Sequence, residues 1–175
     1  MPIRPFENTS PRIAASAFVD DSAVVIGDVS IGEDSSIWPC VVVRGDVHSI
    51  RIGARSNVQD GAVLHVTHRS EYCPEGRPLA IGDDVTIGHS AVVHACTVGN
   101  EVLIGMNATV LDGALVEDRV MIGAGAVVGP GKRLASGHLY VGSPARPARP
   151  LKPAELDYFK YSAAQYAELA RRHRG

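Results

Sequence analysis

The chain has 175 residues, of which 45% are apolar and 21% are charged, and its formal net charge is −2. This length suffices for one domain with a sizeable core, and the nearly balanced charge gives no indication of a nucleic-acid partner. The first ten residues include two prolines and no apolar segment. No run of about 18 apolar residues follows, so we expect neither a signal peptide nor a membrane partner. Three cysteines, Cys40, Cys73 and Cys96, lack CxxC spacing, which is typical of free thiols in a cytoplasmic protein.

An aliphatic residue recurs every six positions over most of the chain. The residue after it is often glycine, as in the segments IGED, IGAR and IGHS. The register shifts by three residues after Val43, is interrupted at residues 69–78, and shifts again after Val93. A period of six fits neither an α-helix nor a series of hairpins. The twenty repeat positions are Ile13, Val19, Val25, Ile31, Ile37, Val43, Ile52, Val58, Leu64, Ile81, Ile87, Val93, Val98, Ile104, Val110, Val116, Ile122, Val128, Leu134 and Tyr140.

Hexapeptide repeats are the signature of a parallel β-helix. Three six-residue units form one triangular coil in which the aliphatic residues point inward, and we expect the glycines to supply the tight corners. Successive coils hydrogen-bond at a separation of ~4.8 Å. The pattern resembles the left-handed parallel β-helix of hexapeptide proteins, and the hand is implied by that resemblance, because general connection rules favour right-handed crossovers. We predict an all-β fold of this kind over residues 1–147, interrupted by a loop at about 69–78.

Residues 148–175 are predicted to form an extended linker followed by a C-terminal α-helix. The segment GSPARPARPLKP is rich in proline, and Pro153 suits the first turn of a helix. A helical apolar face follows, which we expect to pack along the flank of the β-helix in its own or a neighbouring subunit. The residues of that face are Leu156, Phe159, Ala163, Tyr166 and Ala170.

Two histidines occupy equivalent positions in successive coils. His65 follows Leu64 and His94 follows Val93, each in the third unit of its coil, and Arg44 has the same place one coil below. Alternation directs this position away from the core. Two imidazoles one coil apart, at ~4.8 Å, can bind one zinc ion with Zn–N distances of ~2.0–2.1 Å.

A third histidine, His89, lies near a different edge of the triangle and is not expected to complete that pair within its own chain. In a threefold trimer the edge of one β-helix meets the face of the next, so His89 would complete a site on the neighbour. Three histidines and an open fourth position form the ligand pattern of a catalytic zinc site. Spacing alone leaves open the alternative that these histidines are unrelated and solvated.

Three segments resemble the gamma class of carbonic anhydrases and their bacterial relatives. They are VVVRGDV (Val41 to Val47), NVQDGAVLH (Asn57 to His65) and IGHSAVVHACTVG (Ile87 to Gly99). The resemblance extends over about residues 13–147 and implies reversible hydration of CO2 to bicarbonate by a metal-bound hydroxide. It implies a homotrimer with a metal ion at each interface, bound by two histidines of one subunit and one of the next. Zinc is the expected metal, and ferrous iron or cobalt accepts the same three imidazoles. The implied ligands are His65, His89 and His94.

The same resemblance implies roles for four further residues, and the repeat pattern adds Tyr140 as a fifth candidate. Arg44 and Asp46 would form an intersubunit salt bridge that shapes the site, because an arginine fork fits a carboxylate at two points. Gln59 would orient the metal-bound water, and Asp60 would support the interface. Tyr140 replaces an aliphatic residue at a core position; it either fills the end of the core or donates a hydrogen bond toward the site.

The sequence departs from the resemblance at the proton-transfer step. Val47 follows the RGD segment, and no acidic residue follows His65 until Glu71, so the acidic loop of the well-characterised gamma enzymes is missing. His68 is either only a loop residue or the proton carrier in place of the acidic residues, because histidine titrates near neutral pH. The sequence therefore does not decide whether CO2 hydration is fast, weak or absent. Two other functions remain: an acyltransferase that uses acetyl-CoA and one histidine base without a metal, and a non-catalytic metal-binding trimeric scaffold.

Overall fold

A computed structural model describes residues 2–174, which form a parallel β-helix followed by one α-helix. The predicted fold class is therefore confirmed. The strands are β1 (Ile3–Arg4), β2 (Arg12–Ile13), β3 (Phe18–Val19), β4 (Val24–Ile31), β5 (Ser36–Ile37), β6 (Val42–Ile52), β7 (Asn57–Val58), β8 (Val63–His65), β9 (Leu79–Ile81), β10 (Thr86–Ile87), β11 (Val92–His94), β12 (Thr97–Val98), β13 (Leu103–Ile104), β14 (Thr109–Val110), β15 (Leu115–Val116), β16 (Met121–Ile122), β17 (Val127–Val128), β18 (Arg133–Leu134), β19 (His138–Val141) and β20 (Arg146–Pro150), and the helix is α1 (Pro153–Arg174).

The strands stack into three faces, and within each face the strands of successive coils run parallel. The first face has the order β4–β6–β8–β11–β14–β17, and the second has the order β2–β4–β6–β9–β12–β15–β18. The long strands β4 and β6 turn a corner and contribute to both. The third face runs β3–β5–β7–β10–β13–β16–β19, and β20 closes it as an antiparallel partner of β19. A residue on one coil therefore has a defined neighbour on the next coil of the same face.

The core is the aliphatic column that the repeat predicts. Of the twenty positions, all but Ile13 and Val19 are buried, and these two pack against the core. A second inward position, two residues before most of the aliphatic residues, is also buried, and the periodicity did not reveal it. Its hydrophobic members are Ala23, Val29, Val41, Ile50, Ala62, Leu79, Val85, Ala91, Cys96, Val102, Ala108, Ala114, Val120 and Ala126. Cys96 is one of these core residues, and burial, with a smaller effect of Asp112, raises the pKa of its thiol to about 12.

Glycine supplies some of the corners, such as Gly113 (φ 68°) and Gly125 (φ 67°), so that expectation holds in part, but the glycines that directly follow the aliphatic positions do not supply them. The left-handed corner residue comes two positions later and is often not glycine, as at Asp34 (φ 55°) and Asp84 (φ 57°). Glycine is required because adjacent coils approach closely. A Cβ built on Gly53 would lie 2.6 Å from the backbone carbonyl of Gly82, and one on Gly82 would lie 2.7 Å from the carbonyl oxygen of Gly99.

We expect Gly53→Ala to lower the free energy of unfolding by about 1–3 kcal/mol, because the added methyl group forces two stacked backbones apart. Gly129→Ala is the matched control, since a Cβ there meets no atom within 4 Å, and it should change stability by less than about 0.5 kcal/mol. Denaturant unfolding at one protein concentration measures both. Equal effects of the two substitutions would contradict this account of the glycines.

The predicted interruption is a loop between β8 and β9 that folds back at its base. Thr67 and Arg77 exchange two backbone hydrogen bonds, at 3.1 and 2.9 Å, and Ser70 pairs with Cys73 in the same way inside the loop. His68 is exposed on this loop. The base of the loop is thus closed two residues after His65.

Helix α1 packs on the third face of its own chain, against β3, β5, β7 and β10. Phe159, Ala163 and Ala170 of the predicted face are buried, whereas Leu156 and Tyr166 are half-buried. Trp38 meets the ring of Tyr166 edge-on, with centroids 5.7 Å apart. Within residues 2–174, no helix is long and apolar enough to cross a membrane.

Candidate metal centre

His65 and His94 lie side by side on the first face. They are register partners in β8 and β11, as the coil alignment predicts, and their ring centroids are 5.2 Å apart. The Nδ1 atom of His65 is 3.2 Å from the Nε2 atom of His94. Arg44 follows Val43, the partner of Leu64, and therefore lies one coil below His65. The chain brings these three residues together as the sequence predicted.

Each of the two imidazoles has a carboxylate on its other nitrogen. Asp46 Oδ1 is 3.0 Å from His65 Nε2, and Asp112 Oδ2 is 3.0 Å from His94 Nδ1. A carboxylate can only accept, so in the neutral rings these nitrogens carry the protons. The lone pairs of His65 Nδ1 and His94 Nε2 then face each other. That arrangement is repulsive unless a proton or a metal ion lies between the two nitrogens.

The pair fits two positions of a tetrahedral zinc site. Zn–N bonds of ~2.0–2.1 Å at the tetrahedral angle place the two nitrogens about 3.3–3.4 Å apart, close to the 3.2 Å between these rings. Imidazoles that ligate a metal usually donate their other N–H to a carboxylate or carbonyl, as both do here. Burial holds the pKa of His65 below its ordinary value although Asp46 opposes this effect, which favours the neutral, ligating form. The two residues therefore fit as ligands.

His89 lies elsewhere, at the corner after β10. Its Nδ1 atom is 2.9 Å from Asp60 Oδ2, and Asp60 lies in the coil below, because β7 and β10 pair in register. The His89 side chain is 42% exposed. Among the described residues, no group of three or more histidine, cysteine or acidic side chains could hold a metal ion together. Within one chain, His89 does not join His65 and His94.

Arg44 and Asp46 form an ion pair within the chain, with 2.6 Å between Nη1 and Oδ2. The intersubunit form of this pair remains a prediction. Burial opposes ionisation of Asp46, but hydrogen bonds from Arg44 and His65 outweigh it and hold the pKa of the carboxyl below its usual value. Asp46 is therefore a charged acceptor that can fix the ring of His65.

Gln59 and Tyr140 are buried, and their polar atoms have partners inside the chain. Gln59 Nε2 donates to Asn57 Oδ1 at 3.1 Å, and the Tyr140 hydroxyl accepts from the Ala135 backbone N–H at 2.7 Å. Tyr140 lies in the core three coils above Ile87, away from His65 of its own chain. The roles predicted for Gln59 and Tyr140 are untested.

Two clefts flank these residues. One, of about 300 Å³, is lined by Asp46, Val47 and His48 together with Phe6 and Arg69. The other, of about 390 Å³, lies between the third face and α1 and reaches His89. Its lining is mostly apolar and includes Gln59, Leu103, Met106, Met121, Tyr158 and Tyr166. His89 and the histidine pair thus belong to different surfaces of the chain.

Asp112 is a functional candidate that the sequence analysis missed. It stands 18 residues after His94, which is one coil further along the β-helix. The six-residue register could have placed it beside His94, but an acidic residue outside the quoted motifs gave no chemical signal. Burial opposes ionisation of Asp112, but hydrogen bonds from Thr67 and His94 outweigh it and hold the pKa of this carboxyl below its usual value.

These features define a hexapeptide β-helix protein with a pair of carboxylate-backed histidines on one face. The family described as bacterial transferase hexapeptide (six repeats) matches residues 10–45 and 95–130. Protein YrdA of Escherichia coli is 55% identical over 166 residues, which cover 95% of this chain and 90% of that protein. The chain therefore belongs to the hexapeptide-repeat family, in a group that includes proteins named gamma carbonic anhydrase.

One of these is gamma carbonic anhydrase 1, a mitochondrial protein of Arabidopsis thaliana. It is 47% identical over 164 residues, which cover 94% of this chain and 59% of that protein. A crystal structure of a hexapeptide transferase family protein from Anaplasma phagocytophilum has a TM-score of 0.89 and 39% identity, with 97% of this chain and 96% of that chain covered. The resemblance stated from the sequence is confirmed, and the solved relative of the hexapeptide transferase family has the same fold.

Proposed function

We propose that this protein is a metal-dependent carbonic anhydrase that hydrates CO2 reversibly to bicarbonate. The observation that carries the proposal is the His65–His94 pair, whose facing nitrogens are 3.2 Å apart and whose outer nitrogens each meet a carboxylate. Relatives named gamma carbonic anhydrase support the same activity. Zinc is the proposed metal, and ferrous iron or cobalt accepts the same imidazole set.

The proposed assembly is a homotrimer in which His89 of one subunit joins His65 and His94 of the next. The basis is that His89 is partly exposed at a different edge of the coil from the histidine pair. Asp60 contacts the Nδ1 atom of His89, which leaves Nε2 available as the third ligand. The partner supplies what one chain lacks, because the described residues contain no third ligand next to the pair.

In this proposal the residues of the chain bind the metal ion and orient its ligands, and the metal ion would supply the activated water. A zinc ion held by these three imidazoles would supply a bound water with a pKa of about 7, and thus a nucleophile for CO2 at neutral pH. Asp46, Asp60 and Asp112 hold the three rings in one tautomer and one orientation. Hydration releases a proton, and exposed His68 on the loop is the proposed carrier in place of the missing acidic residues.

The experiment is CO2 hydration by anaerobically purified protein, with the metal content of the same sample measured in parallel. We expect activity that rises with metal occupancy and disappears when a chelator removes the metal. The expected stoichiometry is one metal ion per chain, because a threefold ring has as many interfaces as subunits.

Two other results would replace the proposal. Full metal occupancy without hydration would indicate the non-catalytic scaffold. Acetyl transfer from acetyl-CoA by metal-free protein would indicate an acyltransferase, which belongs to the transferase class named for the solved relative from Anaplasma phagocytophilum. Calorimetry of coenzyme A binding to the metal-free chain separates the acyltransferase from the non-catalytic scaffold and the carbonic anhydrase, because only the acyltransferase is expected to bind coenzyme A.

A further inference from the structure

Beyond the predicted ligands, one hydrogen-bonded chain leads from the loop to the candidate metal centre. The Thr67 hydroxyl donates to Asp112 Oδ1, and the other oxygen of that carboxylate, Oδ2, is 3.0 Å from His94 Nδ1. One oxygen of Asp112 thus accepts a hydrogen bond from the base of the loop, and the other accepts one from the imidazole. Neither Thr67 nor Asp112 belongs to the segments on which the resemblance was based.

We propose that Asp112 is a positioning residue for His94 and that Thr67 fixes the Asp112 carboxylate, so that His94 Nε2 faces His65 with its lone pair free for a metal ion. The inference rests on the proposed function, because it assigns a role toward the same metal. The carboxylate accepts from Nδ1–H and so sets the tautomer of the neutral ring. Metal sites whose imidazole ligands have such partners bind the metal about 10–100-fold more tightly than sites without them.

The position of Thr67 gives this pair a second anchor. Thr67 closes the loop through its two backbone hydrogen bonds with Arg77. The guanidinium of Arg77 lies against Gly113, the residue after Asp112, since a Cβ built there would be 2.7 Å from Nη1. The base of the loop therefore contacts the Asp112 corner twice, once through a hydroxyl and once through a guanidinium. The loop that interrupts the repeat thereby holds the Asp112 carboxylate toward His94.

The variants are Asp112→Ala, Thr67→Val and Thr67→Ser, with Asp118→Ala as the control. Asp118 is a carboxylate on another corner that accepts a backbone hydrogen bond from Asn100 at 2.7 Å. Asp112→Ala removes the acceptor, Thr67→Val removes the donor at nearly equal volume, and Thr67→Ser restores it. Melting of each metal-free variant checks that the fold is kept, and Asp112→Asn serves as the second variant if Asp112→Ala does not fold.

The first measurement is the ring tautomer of His94 in metal-free protein, by ¹⁵N NMR at a pH where the ring is neutral. We expect Nδ1–H in the wild type and in Thr67→Ser, and a mixture with Nε2–H in Asp112→Ala. The second is zinc affinity by competition with a chromophoric chelator. We expect a loss of about 10–100-fold for Asp112→Ala, a smaller loss for Thr67→Val, and none for Thr67→Ser or Asp118→Ala.

The double variant Asp112→Ala/Thr67→Val should bind zinc no more weakly than Asp112→Ala alone, because Thr67 acts through the carboxylate. An unchanged His94 tautomer in Asp112→Ala, or zinc affinity within twofold of the wild type, would overturn the proposal. A wild-type chain that binds no zinc would count against the proposed function instead. The tautomer measurement would still decide whether Asp112 positions His94.

Discussion

Replacing any one of His65, His89 or His94 with alanine should reduce metal affinity by more than about 100-fold, beyond the usual effect of losing an outer-shell partner. Two remaining imidazoles leave the ion with too few protein ligands for a stable site. The fold should survive, because all three side chains project from the β-helix and its core is aliphatic. Their exposed fractions are 19% for His65, 42% for His89 and 28% for His94.

Bound metal after dialysis against a weak chelator gives the affinity loss, and melting of the metal-free proteins gives stability. We expect stability changes of less than about 1 kcal/mol, since no core contact is removed. His138→Ala is the matched control: His138 is also half-buried and hydrogen-bonded, with Nδ1 2.8 Å from the Ser136 carbonyl, but it lies in β19 at the far end of the β-helix. Full metal occupancy in His89→Ala would show that His89 is not a ligand.

The fold was predictable because one physical rule recurs at every coil. An aliphatic side chain every six residues must face a common core, and this rule located Val25 and Val128 equally well. The second inward position escaped notice, because an alanine such as Ala108 is as compatible with a surface as with a core. The role of the glycines that directly follow the aliphatic residues was also predicted incorrectly. Close stacking of Gly53 on Gly82 depends on how coils approach each other, which is invisible in one linear sequence.

The candidate site was predictable as far as register extends. Counting units placed His65 under His94, and the strands pair these two residues as expected. The carboxylates behind the rings were harder to find, because Asp46 was expected to pair with Arg44 and Asp112 lies outside the motifs that drew attention to the histidines. Arg44 illustrates a further limit. Its partner within the chain is Asp46, whereas a partner across an interface depends on a second chain.

A trimer that mixes two defective chains should recover metal binding that neither parent has. His89→Ala chains keep His65 and His94, and His65→Ala/His94→Ala chains keep His89. In the proposed ring each site takes its histidine pair from one subunit and His89 from the next. Every mixed trimer then has one interface where the intact halves meet, so random 1:1 mixing restores about one quarter of all sites.

The experiment is to co-refold the two variants with different affinity tags, isolate the mixed trimers through both tags, and measure zinc per trimer. Isolation through both tags separates failure to mix from failure to bind, and light scattering verifies three chains per particle.

The matched control is a mixture of His65→Ala with His94→Ala chains. No subunit there has an intact pair, so no interface is completed and zinc should stay at the level of the parents. Recovery in this control equal to that in the first mixture would show that His65 and His94 act from different subunits. Zinc no higher than in the parents in the first mixture would show that the three histidines do not form a site shared between neighbouring chains.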